Sequence, residues 1–196
     1  MPTGYNDASA SENFVPVALG GHYAVIKEVA ERKTSTGKDM IVVAFDFSAK
    51  DQQPNYFSDR FASDTRDDKR WPFNGTMYVM VNDYADQSKT SRNFKTFCVS
   101  VEKSNNFRIA WGGSNWAQQF KGKQIGVVYG EVENEYDGRV SMQHRPRWFC
   151  SVDSVANAKV PAPRMLSGSA PARQQPKEVP DSFLQVQGNA EDGIPF

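Results

Sequence analysis

Residues 91–101, Ser91-Arg92-Asn93-Phe94-Lys95-Thr96-Phe97-Cys98-Val99-Ser100-Val101, carry apolar side chains at Phe94, Phe97, Cys98 and Val101. That spacing of i, i+3, i+4 and i+7 is the stripe of an amphipathic helix, and Arg92 and Lys95 fall on its other face. On both sides the period changes. Upstream, Gly75-Thr76-Met77-Tyr78-Val79-Met80-Val81 reads as a strand, as does the nearly all-apolar Met40-Ile41-Val42-Val43-Ala44-Phe45-Asp46-Phe47. Residues 20–29 alternate through Tyr23, Val25 and, after an irregularity, Val29, and so predict a strand with two unlike faces. Between these last two, Thr34-Ser35-Thr36-Gly37-Lys38-Asp39 supplies hairpin-turn chemistry. Downstream, residues 124–132 and 138–152 read as two strands joined by Glu135-Tyr136-Asp137-Gly138, where Asp-Gly is a strong hairpin signal.

Three strands, a helix and two further strands is the order of the five-stranded OB barrel, in which the helix lies between strands 3 and 4. The expected fold is therefore mainly β and OB-like, covering residues 17–155, with another small mixed barrel as the alternative. Residues 1–16 read as a flexible arm. Residues 48–74 are polar and broken by Pro54 and Pro72, which predicts a long excursion off the barrel. After Val155 the chain becomes rich in Pro, Ser, Gly and Gln without an apolar period, so 156–190 reads as a disordered linker and 191–196 as a separate tip.

Composition narrows the function classes. Formal net charge is zero, which argues against a uniformly basic nucleic-acid coat, since phosphate affinity comes from local Lys and Arg. One local patch exists: residues 87–123 hold Lys89, Arg92, Lys95, Lys103, Arg108, Lys121 and Lys123 against the single acid Glu102. Cys98 and Cys150 sit in apolar runs and read as small buried hydrophobes, while His22 and His144 show no metal-ligand spacing with them. No metal or other cofactor is expected. The N-terminus lacks signal-peptide regions and no apolar stretch nears the ~20 residues that span a bilayer, so a cytoplasmic protein without a membrane partner is expected.

Aromatic rings interleaved with cations are the most informative feature. One set, Phe57, Arg60, Phe61, Arg66, Lys69, Arg70, Trp71 and Phe73, falls in the irregular excursion; another, Tyr136, Arg139, Arg145, Arg147 and Trp148, falls on the last hairpin. Bases stack on such rings while cations hold phosphates, which suits sequence-tolerant binding of single strands. Any one ring, Phe61, Phe73 or Trp148 among them, fills core as readily as it stacks. With Lys38 in the first turn and Lys89 and Arg92 at the helix, the expected contact set is Lys38, Phe57, Arg60, Arg66, Lys69, Arg70, Trp71, Lys89, Arg92, Tyr136, Arg139, Arg145, Arg147 and Trp148. Trp111 and Trp116 either stack bases or cap the barrel end. Catalysis has weaker support: Asp64, Asp67 and Asp68, or alternating Glu131, Glu133 and Glu135, would be needed for a metal-dependent nuclease, and exposed-strand alternation explains the glutamates more simply. No enzyme is expected.

The last residues, Glu191-Asp192-Gly193-Ile194-Pro195-Phe196, join two acids to an apolar end with a ring and a carboxylate, so Glu191, Asp192, Ile194, Pro195 and Phe196 are candidate contacts to a basic-rimmed partner. The other reading is a tail that binds nothing. This hexapeptide resembles the acidic Ile-Pro-Phe tip of bacterial single-stranded-DNA-binding proteins, although Gly193 replaces an acid common there. The body, through residues 21–26, 37–41, 121–128 and the stretches Tyr136-Asp137-Gly138-Arg139 and Pro146-Arg147-Trp148-Phe149, resembles phage and prophage single-stranded-DNA-binding proteins long known as a domain of unknown function. The resemblance implies an OB fold, single-stranded DNA as ligand, and replication or recombination proteins as partners of the tip. A protein-binding adaptor is the alternative, and self-association into a homo-oligomer is left open.

Overall fold

A bulge sets which face of the first strand points inward. In β1 (Gly20–Lys33), His22, Ala24 and Ile26 are buried; Val29 is also buried, because the pairing with β2 (Asp39–Phe47) shifts register between Ile26 and Glu28. Lys27 is the extra residue, and a single inserted residue reverses the alternation that follows it. Tyr23 and Val25 consequently lie on the partly exposed face, opposite to Val29, whereas unbroken alternation would put the three on one face. The computed structural model describes residues 15–113 and 115–166. It contains a five-stranded antiparallel sheet in the order β3-β2-β1-β4-β5, completed by β3 (Thr76–Met80), β4 (Gln124–Tyr136) and β5 (Arg139–Cys150).

The turns follow the local signals. Gly37 takes φ +78 between β1 and β2, and Asp137 and Gly138, with φ 51 and +70, reverse the chain between β4 and β5 as paired left-handed residues do in tight hairpins. The amphipathic stripe becomes α2 (Arg92–Asn105), which buries Phe94, Phe97, Cys98 and Val101. Its first turn is capped by Ser91 Oγ, which accepts the Phe94 N–H at 3.1 Å. The helix outruns the apolar stripe because Asn105 ties its end to β4: the amide Nδ2 donates to Gln124 O and the Oδ1 accepts the Gln124 N–H, each at 2.8 Å.

Aromatic packing fills the space between α2 and the sheet. Phe97 meets Phe120 and Phe149 at centroid distances of 5.0 and 5.1 Å, and Phe45 meets Phe149 at 5.9 Å. His22 is a core residue, stacked on Phe47 at 4.2 Å, with Nδ1 3.0 Å from Asp51 Oδ1 and Nε2 2.9 Å from Ala18 O. Cys98 behaves as the small hydrophobe its context suggested, and burial pushes its thiol up to about 12.

Two expectations need correction. The excursion of 48–74 is not merely loop: it contains α1 (Tyr56–Ser63), docked on a buried carboxylate. Asp46 Oδ1 accepts the Phe57 N–H at 2.9 Å and Oδ2 accepts the Ser58 N–H at 3.1 Å, so β2 satisfies amides that a helix N-terminus leaves without partners. That docking drives Phe57 into the core beside Phe47 and Phe45, at 5.1 and 6.0 Å, with 0% exposure. Phe57 therefore offers no face to a base. The compact unit also runs past 155 to Arg164. Arg164 forms a parallel bridge with Val132, its N–H donating to Glu131 O at 3.0 Å and its carbonyl accepting from the Glu133 N–H at 2.8 Å. Low apolar content signals a linker when no free edge is near; here the distal half of β4 supplies one. Among the described residues no helix is long and apolar enough to cross a membrane.

Candidate nucleic-acid interface

β3 and β5 are the two edges of the sheet, and a cavity of about 460 Å³ is lined from both, by Tyr78 and Val79 on one side and Arg145, Arg147 and Trp148 on the other. Three large, partly exposed aromatic residues border it: Phe73 is 57% exposed, Tyr78 53% and Trp148 41%. Phe73 and Tyr78 lie 6.1 Å apart at 37°. Strand alternation places Tyr78 outward, since its neighbour Val79 points into the core.

Three arginines line this seam, Arg145, Arg147 and Arg164, and Arg145 is the one set against a ring. Its guanidinium carbon lies 4.0 Å from the Phe73 ring centroid, and its Nη2 donates to Gln143 Oε1 at 2.5 Å. Its Nη1 is enclosed and has no hydrogen-bond partner among the described residues. Leaving such a donor unmet costs about 1–3 kcal/mol. Burial lowers the Arg145 pKa and the facing Tyr129 opposes that shift, yet a guanidinium remains cationic at neutral pH.

A second cavity, of about 750 Å³, adjoins the first, and Thr96, Trp148 and Phe149 line both. Its walls carry Lys89, Arg92, Lys95 and Lys103 against the single carboxylate Asp83. The tertiary fold thus gathers Lys89 and Arg92 from the helix region with Arg145, Arg147 and Trp148 from β5. Arg147 has a second task, because its Nη1 donates to Ala162 O at 3.1 Å and so holds the 161–164 segment against the sheet.

The other predicted contacts line neither cavity. Tyr136 and Arg139 face each other across the tip of the β4–β5 hairpin, with Tyr136 80% exposed. Lys38 is placed over the Tyr84 ring at 3.6 Å. Around α1, Arg60 lies 5.7 Å from the Tyr56 ring and Lys69 lies 5.0 Å from the Phe61 ring, while Arg70 is exposed. Trp71 is half-buried, its Nε1 donating to Gly75 O at 3.0 Å. Arg66 grips Asp64 through contacts of 2.9, 3.1 and 2.6 Å, and those hydrogen bonds hold the Asp64 carboxyl down at about 2. The tip residues Glu191, Asp192, Ile194, Pro195 and Phe196 lie outside the described residues.

Tyr78 was missed by sequence reasoning as a binding ring, and Phe73 was left among the rings that could fill core. Position on an edge strand was the signal for Tyr78, but it becomes usable only once the strand order is known. The carboxylates do not assemble: no group of three or more His, Cys, Asp or Glu among the described residues is placed to hold a metal ion. Glu133, expected on an exposed strand face, is buried. The chain matches no protein-family model and no curated protein.

Proposed function

We propose that the protein binds single-stranded DNA in the seam between β3 and β5, without strong base specificity. The sheet order, with α2 following β3 in the chain, suits an OB-like barrel whose β3 and β5 edges approach without pairing, and the seam is then the place where the barrel opens. A fold of this kind serves many functions, so the reading rests on the site. The observation that carries it is the clustering of three exposed rings, Phe73, Tyr78 and Trp148, with the guanidinium groups of Arg145 and Arg147 around one cavity. Rings stack on any base and cations neutralise phosphates; duplex DNA, whose bases are already stacked on each other, cannot use the rings.

Oligo-dT should therefore bind more tightly than duplex of the same length, with log K falling against log salt at about −0.7 per phosphate contact. Fluorescence titration at several salt concentrations measures both. Equal affinity for duplex would remove the stacking argument.

The acidic-apolar segment 191–196 is proposed to take protein partners of replication or recombination in a phage-infected bacterial cytoplasm, while the folded body holds DNA. Deleting Glu191 to Phe196 should leave oligo-dT affinity equal or slightly higher, because two carboxylates that compete for the cations are gone, and should abolish partner capture. Pull-downs with intact and truncated chains decide this: the same recovered partners from both would show that the segment recruits nothing.

A further inference from the structure

We propose that a bound strand does not end at the seam but runs on across the outward face of α2, held there by Lys95, Lys103 and Arg108; the inference rests on the single-strand reading above. Helical geometry supplies the track. Arg92, Lys95, Val99 and Lys103 follow one another at spacings of three and four residues, so they form one stripe, opposite the buried stripe of Phe94, Phe97, Cys98 and Val101. At 1.5 Å per residue this stripe is about 16 Å long.

The surface is continuous from the seam. The second cavity shares Trp148 with the seam, and it shares Lys95, Val99 and Lys103 with a third cavity, of about 420 Å³, that reaches Phe107 and Arg108. Five cations, Lys89, Arg92, Lys95, Lys103 and Arg108, line the second and third cavities against two carboxylates, Asp83 and Glu102, and Lys89 is also paired with Asp86 at 3.0 Å. Both carboxylates are engaged locally. Asp83 Oδ1 accepts the N–H groups of Ala85 and Asp86 at 2.9 and 3.2 Å, and Glu102 accepts the Ile109 N–H at 3.0 Å and lies 3.6 Å from Arg108. A polyanion is the occupant that such a row of exposed cations fits, and its connection to the ring-lined seam makes that polyanion the same strand.

The test compares two lengths of oligo-dT, about 5 nucleotides, near the lower end of the usual site size of a single OB domain, and about 20, beyond its upper end. Wild-type protein and the combined variant Lys95→Gln, Lys103→Gln, Arg108→Gln are titrated with each. Glutamine preserves helix propensity at Lys95 and Lys103 and keeps a polar side chain at the exposed Arg108 beyond the helix end, and thermal melting monitored by circular dichroism establishes that the variant is folded. The long oligonucleotide should bind the variant on the order of 100-fold more weakly at 0.1 M salt, with a salt slope shallower by about 2, the sum of three lost contacts. The short one, filling only the seam, should change by less than about threefold, since none of the three side chains lines the seam and their charges act on it only through a salt-screened field. Equal weakening of both lengths would mean a diffuse field rather than a track, and no weakening of either would mean that the strand leaves by another route; each overturns the proposal while leaving seam binding intact. Failure of wild-type protein to bind either length overturns the single-strand reading itself, and this inference with it.

Discussion

Truncation of Trp148 to alanine is expected to weaken oligo-dT binding by about 1–3 kcal/mol, roughly 5- to 150-fold, which is the usual cost of removing one base-stacking ring. Trp148 stands on the wall common to the seam and the α2 cavity, so a strand passing from one to the other must pass it. Trp148 is 41% exposed, so the substitution should cost little stability beyond the apolar area that the side chain still covers. Trp148→Phe, which keeps a π-face, should retain most of the affinity. Anisotropy of a labelled oligo-dT, measured beside a thermal melt of each variant, separates the two effects. A Trp148→Ala protein that melts and binds like wild type would take this ring out of the site.

Phe57→Ala should do the reverse. The ring is fully buried against Phe45 and Phe47, and a β-carbon added at Gly75 would lie 2.8 Å from it, so the Gly75 backbone packs close against this side chain. Large-to-small substitution of a buried phenylalanine costs about 3–5 kcal/mol, because the lost transfer free energy is joined by that of a cavity that closes only in part. In a domain of about 150 residues that lowers Tm by roughly 10 °C. Urea denaturation measures the loss, and the folded fraction should bind oligo-dT as wild type does. Unchanged stability would contradict the packing, and a selective loss of affinity would restore Phe57 as a stacking ring.

The contrast between Phe57 and Phe73 shows where reading residues alone ran out. Both lie in the same irregular stretch, both neighbour cations, and neither belongs to an apolar period. What separates them is Asp46, a carboxylate on another strand that receives the first amides of α1 and draws Phe57 inward, while Phe73 follows Pro72 onto the surface beneath Arg145. Composition fails at residues 156–164 for a related reason: their backbone bonds to β4 come from a free strand edge, which their own side chains do not encode.

Features set by neighbours along the chain were determined by sequence alone. The stripe of Phe94, Phe97, Cys98 and Val101 made a helix, Gly37 and Asp137-Gly138 made turns, and the apolar runs made strands in their chain order, because each depends on interactions a few residues apart. Tertiary structure alone decided which rings face outward and which cations meet. Lys89 and Arg92 come from one side of α2's start, and Arg145, Arg147 and Trp148 from a strand far along the chain; they share a surface only because β5 and β3 are the two edges of one sheet and α2 spans the space beside them. Burial and proximity across such separations are properties of the packed whole, which no local spacing of residues contains.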